Sequence, residues 1–89
     1  RRYDLLIERE RHGEIRDLRL QVDFTLQEAY TDAEGRRVRA IRYKADFTYR
    51  ERDGGLVVED VKSRPTRTKE YSIKKKMLKD RFGIDITEV

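Results

Sequence analysis

The sequence contains no cysteine, one histidine and one proline among its 89 residues. The lack of cysteine excludes a disulfide framework and a cysteine-based zinc site, and one histidine alone does not make a metal centre. No apolar run approaches the length of a membrane span, and no signal peptide is visible. These absences favour a cytoplasmic protein. Because the chain starts at Arg1 instead of methionine, we expect part of the N-terminus to be missing.

Charged residues dominate the composition. They make up 45% of the chain, with 22 basic and 18 acidic residues and a formal net charge of +4. This balance suits a nucleic-acid partner, although a solvated surface would have the same composition. The apolar residues are regularly patterned, which favours a folded chain over disorder. A chain of this length predicts one small domain with a modest core, which a second subunit would help to stabilise.

Hydrophobic spacing predicts the element order α-β-β-β-α-β. Apolar residues recur at helical spacing over residues 2–12 and 68–82, and each stretch is followed by a glycine suited to a left-handed cap. Alternating apolar and polar residues indicate strands, and short loops between the first three imply an antiparallel meander. The third strand is a more continuous apolar run, which predicts a central position. The predicted strands cover residues 18–26, 41–50, 56–62 and 84–87.

Acidic residues in the second and third predicted strands are the main functional signal. Asp46 lies in one strand and the triplet Asp60-Val61-Lys62 in the next. Two carboxylates can hold a hard cation through oxygen ligands. A lysine one pleat further along can orient an attacking water or stabilise developing phosphate charge. Either motif alone is typical of a strand surface or an ion pair, but aspartate is disfavoured in strands, and together they predict a phosphodiesterase site.

The loop between these strands decides whether the acids meet. A two-residue loop would put Asp46 and Asp60 on opposite faces of the sheet. A three-residue loop over 52–54 pairs Asp46 with Asp60 and places Gly54 in the left-handed position of a bulge. The phosphodiesterase interpretation therefore predicts an odd-numbered loop. Glu59 would then face the opposite side, unless a bulge near it reverses the choice.

Basic and aromatic residues after the third strand are candidates for phosphate binding. Helical spacing puts Lys74 on the same stripe as Tyr71, so Lys74 could reach a phosphate held near the strand acids. Tyr71 alone is more typical of a core residue with a solvated hydroxyl. Arg64 and Arg67 follow the third strand and could contact phosphates, although a solvated basic loop has the same pattern.

These motifs resemble the PD-(D/E)XK nuclease superfamily. The similarity extends over nearly the whole chain and is to a phage-associated branch grouped with Holliday junction resolvase-like endonucleases. It implies a restriction-endonuclease-like α+β fold, a central mixed sheet flanked by helices, in one domain over residues 1–89. The stretches that carry the resemblance are Gln21–Leu26, Arg39–Phe47, Val58–Lys62 and Tyr71–Lys76.

The resemblance also implies a chemistry. Such enzymes use Mg²⁺, or Mn²⁺ as the alternative, to hydrolyse phosphodiesters at four-way junctions in DNA recombination. Asp46 and Asp60 would be metal ligands, the Val61 carbonyl a further ligand, and Lys62 the catalytic lysine. Tyr71 and Lys74 match positions that assist phosphate binding. The implied partner is branched double-stranded DNA, and the implied state is a homodimer in the cytoplasm of a phage host.

One departure from the family pattern leaves alternatives open. The superfamily places a glutamate on the first helix, and we expect it just upstream of Arg1. Glu8 and Glu10 are present, but neither matches that place. The alternatives are a nuclease of the same fold acting on linear or single-stranded DNA, a non-enzymatic nucleic-acid-binding module, and a protein–protein adaptor.

Overall fold

The computed structural model describes residues 1–62 and 68–89 as an α+β domain. Four strands form a mixed sheet in the order β1-β4-β5-β6, flanked by two helices. Neighbours β1, β4 and β5 are antiparallel, and β6 runs parallel to β5. The predicted fold class and order of core elements are confirmed. The helices are α1 (Arg2–Arg11) and α2 (Lys69–Phe82), and the strands are β1 (Ile15–Gln27), β2 (Tyr30–Thr31), β3 (Arg37–Val38), β4 (Ile41–Glu51), β5 (Leu56–Asp60) and β6 (Ile86–Glu88).

The structure adds one feature that the pattern does not predict, a small hairpin formed by β2 and β3. The Asp32 side chain closes its turn by accepting the backbone N–H groups of Glu34 at 2.9 Å and Arg36 at 2.8 Å. This bonding satisfies the turn locally, so two very short strands can pair outside the main sheet. Of the predicted strands, the third ends earlier than expected, at Asp60, and the last is shifted to Ile86–Glu88.

The turn between β4 and β5 has the predicted odd length. Phe47 pairs with Glu59, and the same register continues to the turn, where the Glu51 N–H donates to the Gly55 carbonyl at 2.9 Å. Gly54 adopts φ +88°, the left-handed conformation that a glycine takes without steric cost. The prediction of an odd-numbered loop is confirmed, and the same register continued by one pair beyond Phe47–Glu59 would place position 46 opposite position 60.

The predicted strict alternation along the second strand is wrong at Asp46. Tyr43 and Ala45 belong to a core cluster with Leu78 of α2, whereas Phe47 and Tyr49 belong to a cluster with Leu6 of α1. The odd-numbered residues of β4 therefore point toward α2 before Asp46 and toward α1 after it. The change falls between the pairs Val22–Ala45 and Leu20–Phe47, where Gln21 of β1 has φ +53°.

Each helix covers its own part of the sheet. Leu78 of α2 packs on Val58 and Ile86, and all three are buried. α1 is held by Leu6 and by a charged network, in which Arg2 Nε donates to Glu59 Oε1 at 2.8 Å and Arg2 Nη2 to Oε2 at 2.5 Å. Neither helix in the described part of the chain is long and apolar enough to cross a membrane.

Candidate active site

Asp60 lies at the C-terminal end of β5 and has both carboxylate oxygens engaged. The Tyr43 hydroxyl donates to Oδ2 at 2.8 Å, and Lys62 Nζ lies 3.3 Å from Oδ1. The backbone of Lys62 is fixed beside the C-terminal strand, because the Lys62 N–H donates to the Val89 carbonyl at 2.9 Å. Asp60 and Lys62 therefore form an ion pair, which is the arrangement that the triplet alone is typical of, and the carboxylate is fixed from two sides.

Asp46 reaches the same end of β5 from the neighbouring strand. Its Oδ2 accepts the Val61 N–H at 2.7 Å, and its Oδ1 accepts a longer hydrogen bond of 3.5 Å from Gln21 Nε2. Strict alternation along β4 does not predict where the Asp46 side chain points, because the residues on either side of it face opposite sides of the sheet. The structure nevertheless brings Asp46 beside the Asp60-Val61-Lys62 segment, as the register predicts.

The Tyr43 hydroxyl is a buried donor to Asp60. Burial raises the pKa of Tyr43 above its ordinary value, and the hydrogen bond to Asp60 and the negative charges of Asp60 and Asp46 raise it further. Both carboxylates thus lie close enough to act electrostatically on one phenol. A phenol is protonated at neutral pH even without this rise in pKa, so Tyr43 acts as a hydrogen-bond donor to Asp60.

A second aromatic residue extends the site toward β6. Lys62 Nζ lies 3.4 Å from the centre of the Tyr71 ring, a cation–π contact. The Tyr71 hydroxyl donates to Glu88 Oε2 at 2.6 Å, and Lys75 Nζ lies 3.6 Å from the same oxygen. Tyr71 is half-buried, so it combines the predicted packing role with a polar contact beside the catalytic lysine candidate.

Other predicted residues lie apart from the acids. Lys74 Nζ pairs with Glu70 at 2.9 Å on the same helix. Glu8 pairs with Arg11 at 3.0 Å, and Glu10 accepts the Leu18 N–H at 3.1 Å. Neither glutamate of α1 takes the place of the expected first-helix acid. The remaining two candidates, Arg64 and Arg67, lie outside the described residues.

Glu59, the neighbouring acid on β5, faces away from the site. It is fully buried and bonded to Arg2, and it also accepts from the Tyr49 hydroxyl. Burial alone would raise the pKa of Glu59, but the hydrogen bonds from Arg2 and Tyr49 outweigh it and hold the pKa below its ordinary value. The preference for Asp60 over Glu59 as the site residue therefore agrees with the placement of the two side chains.

Sequence reasoning missed two polar groups of the site, the Tyr43 hydroxyl and Glu88. Tyr43 follows the apolar alternation of its strand, and this pattern gives no sign that its hydroxyl meets Asp60. Glu88 pairs in register with Asp60 across β5 and β6. The sequence signal for Glu88 is an acid in a short terminal strand, which is too common to single it out.

Within residues 1–62 and 68–89, no three histidine, cysteine, aspartate or glutamate side chains form a group suited to a metal ion. The site offers two carboxylates and a neighbouring backbone carbonyl, all hard oxygen donors. Mg²⁺ is usually held by one or two carboxylates together with substrate phosphates and water. The donor set therefore fits Mg²⁺ in character and number.

The fold and this site define the class of protein as an α+β domain with a polar site at the C-terminal end of a central strand. The family model described as "Protein of unknown function (DUF1064)" matches residues 1–87, and the chain belongs to this family. No curated protein matches the chain. No solved structure matches it either.

Proposed function

We propose that this chain is a metal-dependent, structure-selective DNA endonuclease domain, most similar in chemistry to Holliday junction resolvases. The observation that supports this proposal best is the placement of two acids beside one short segment: Asp46 Oδ2 accepts the Val61 N–H at 2.7 Å, and Lys62 Nζ lies 3.3 Å from Asp60 Oδ1. Two acids can hold a hard cation, and a lysine can stabilise the charge that develops in phosphodiester hydrolysis. Asp46 and Asp60 come from two strands whose register is fixed by a tight turn, and Lys62 follows the second of these strands.

In this proposal Asp46, Asp60 and the Val61 carbonyl hold Mg²⁺, with Mn²⁺ as the alternative. The metal, when bound, supplies charge stabilisation and lowers the pKa of an attacking water. Lys62 provides a fixed positive charge where negative charge develops on the phosphate. The Tyr71 ring lies against the Lys62 ammonium group and restricts its position.

Lys74, Arg64 and Arg67 are proposed phosphate contacts around this centre. Lys74 is partly buried and paired with Glu70, so a phosphate would have to compete with that carboxylate. The proposed substrate is branched double-stranded DNA, the proposed state a homodimer with two such sites, and the proposed location the cytoplasm of a phage host.

The test is incubation of the full-length protein with a labelled four-way DNA junction, with Mg²⁺ or with EDTA. We expect paired symmetric nicks that require the metal. Asp60→Asn should lower the cleavage rate at least 100-fold and leave junction binding in EDTA intact, because binding does not use the metal. The matched control is Asp85→Asn, an exposed aspartate paired with Lys79 at 2.9 Å, which should cleave like the wild type.

Equal cleavage by Asp60→Asn and the wild type would end the proposal. A panel of linear duplex and single-stranded substrates distinguishes a resolvase from a nuclease with other substrates. If these substrates are cleaved as fast as the four-way junction, the same site would belong to a general nuclease and not to a resolvase.

A non-enzymatic nucleic-acid-binding module is the second candidate. The observation that favours it is that all four carboxylate oxygens of Asp46 and Asp60 already have partners within the protein. Acids with this bonding can be purely structural. Salt-sensitive binding of DNA without metal-dependent cleavage by full-length protein would select this candidate.

A further inference from the structure

A basic segment precedes the candidate site along the chain. Five of the ten residues from Arg36 to Ala45 are basic and none is acidic. The segment runs through β3 into the start of β4, and its basic side chains are exposed. We call residues 37–42 the basic arm. They run from β3, which belongs to the separate two-stranded sheet, to the first two residues of β4 in the main sheet.

In the part of the chain that the structure describes, no acidic side chain pairs with the arginines of the basic arm. Arg36, at the tip, pairs with Asp32 and Glu34. The cross-strand partners of Arg37 and Arg42 are Thr31 and Thr25. Within residues 1–62 and 68–89, the arm's three arginines form no ion pair. The three arginines of the arm are Arg37, Arg39 and Arg42.

The basic arm is continuous with the candidate site. Residues 40–42 line a surface groove together with four residues of α2, Glu70, Ile73, Lys74 and Met77. The carboxylate of Glu70 is paired with Lys74 at 2.9 Å. Arg42 directly precedes Tyr43, whose hydroxyl bonds Asp60, so the arm lies next to the candidate site along β4.

We propose that the basic arm binds the phosphate backbone of nucleic acid on one side of the candidate active site. Unpaired, exposed arginines on an acid-free segment are complementary to a regularly spaced polyanion. This inference rests on the proposed function in one respect, because the position of the phosphates is counted from the proposed cut. The binding of phosphates by the arm does not depend on cleavage.

The strand geometry predicts which phosphates the arm contacts. Arg42 lies four residues before Asp46 on β4, which corresponds to about 13 Å at the rise of a β-strand. Phosphates of one strand recur about every 3.4 Å along the axis of duplex DNA. Arg42, the arginine of the arm nearest to the acids, should therefore contact phosphates about four nucleotides from the cut, and Arg37 and Arg39 should contact phosphates farther away.

The first experiment compares two triple variants of matched charge. The arm variant is Arg37→Gln/Arg39→Gln/Arg42→Gln. The control removes three exposed arginines at the opposite end of the sheet, about 30 Å along β4 at the same rise per residue. Among the described residues, these arginines donate to the backbone carbonyls of Glu51, Gly54 and Gly13 and to no acidic side chain. The control variant is Arg16→Gln/Arg50→Gln/Arg52→Gln, and thermal unfolding establishes that both variants are folded.

Binding of a labelled four-way junction is measured by fluorescence anisotropy in EDTA between 50 and 200 mM KCl. The wild type should lose about 40-fold more affinity over this range than the arm variant, because three phosphate contacts contribute about 2.7 to the salt slope. The control variant should have the wild-type slope. A wild-type slope in the arm variant, equal losses in both variants, or no binding by the wild type would overturn the proposal.

The second experiment uses junctions in which phosphates three to five nucleotides from the cut are replaced by neutral methylphosphonates. The replacement should weaken binding of the wild type about 10-fold or more and leave the arm variant unchanged. Equal weakening of both would overturn the placement of the arm. Both experiments measure binding by the intact protein without metal, so they do not depend on cleavage. If the wild type binds the junction here but does not cleave it when Mg²⁺ is added, the nuclease proposal fails and the proposal for the basic arm stands.

Discussion

At the scale of single residues, two tyrosines of β4 contact two acids that lie on opposite faces of the sheet. Tyr43 donates to Asp60 and Tyr49 donates to Glu59, although Asp60 and Glu59 are consecutive on β5. Both phenols are buried and both have pKa values raised by burial and by their carboxylate partner. They are chemically alike, so one serves as a control for the other.

We predict that Tyr43→Phe weakens the response of the protein to Mg²⁺. Loss of the hydroxyl releases one oxygen of Asp60, and loss of such orienting partners usually lowers metal affinity about 10- to 100-fold. The measurement is the Mg²⁺ concentration for half-maximal junction cleavage, with direct Mn²⁺ titration as a second readout. Tyr49→Phe should lower the free energy of unfolding by about 2 kcal/mol and leave the Mg²⁺ requirement unchanged. An unchanged Mg²⁺ requirement in Tyr43→Phe would exclude the orienting role.

The face change at Asp46 shows what residue patterns cannot predict. The letters of β4 keep alternating through this point, so the sequence contains no sign that Tyr43 and Tyr49 serve opposite faces. The break becomes visible only in Gln21 of the paired strand, through its left-handed φ of +53°. Such a conformation in a non-glycine residue depends on the surrounding packing instead of local preference.

At the scale of elements, the β4–β5 hairpin was predictable because its turn chemistry is local. Only odd loops bring Asp46 and Asp60 together, and Gly54 supplies the left-handed position that such a loop needs. Helix α2 was predictable for the same reason: Thr68 caps it by accepting the Tyr71 N–H at 3.0 Å, and Gly83 ends it at φ +70°. The β2–β3 hairpin escaped prediction because two-residue strands have no periodicity.

We predict that Gly54→Ala lowers the free energy of unfolding by about 1–2 kcal/mol, the usual penalty for a left-handed residue with a Cβ. The added Cβ would lie 3.8 Å from Arg16 Nη2, an ordinary contact, so conformation and not crowding sets the loss. Gly54→Asn should lose less, since asparagine tolerates this region better. Urea denaturation measures both, and equal losses for alanine and asparagine would contradict the conformational explanation.

At the scale of the whole molecule, one buried charge network joins α1 to the sheet. Glu59 has no exposed surface, and Arg2, 57 residues away in the chain, supplies two of its hydrogen bonds. A contact over this separation is beyond what sequence periodicity can indicate. The sequence placed Glu59 on the face opposite Asp60, but only the fold reveals its partners.

We predict that this network makes stability depend on acid pH. The pKa of Glu59 is lowered from 4.5 in the fold, so its stabilising contribution is complete above pH 4.5 and is lost as pH falls through the folded pKa. Glu59→Gln should cost about 3 kcal/mol at pH 7, because it breaks a buried pair, and the gap to the wild type should narrow below pH 4.5.

The comparison is made by urea denaturation at several pH values from 7 to 3. Glu8→Gln is the matched control, since Glu8 forms an exposed ion pair with Arg11, and exposed pairs contribute about 0–1 kcal/mol. Parallel pH profiles for the wild type and Glu59→Gln would show that Glu59 does not control the acid dependence.

The order of Glu59 and Asp60 on one strand has a consequence for mutational surveys of this domain. A shift of β5 that relieves a broken Arg2–Glu59 contact necessarily moves the next residue, which is Asp60. Alanine scans scored by cleavage would therefore report Arg2 among the sensitive positions. Arg2 contacts the face of the sheet opposite Asp60, so its sensitivity to substitution would identify a support of β5 and not the surface that touches the substrate.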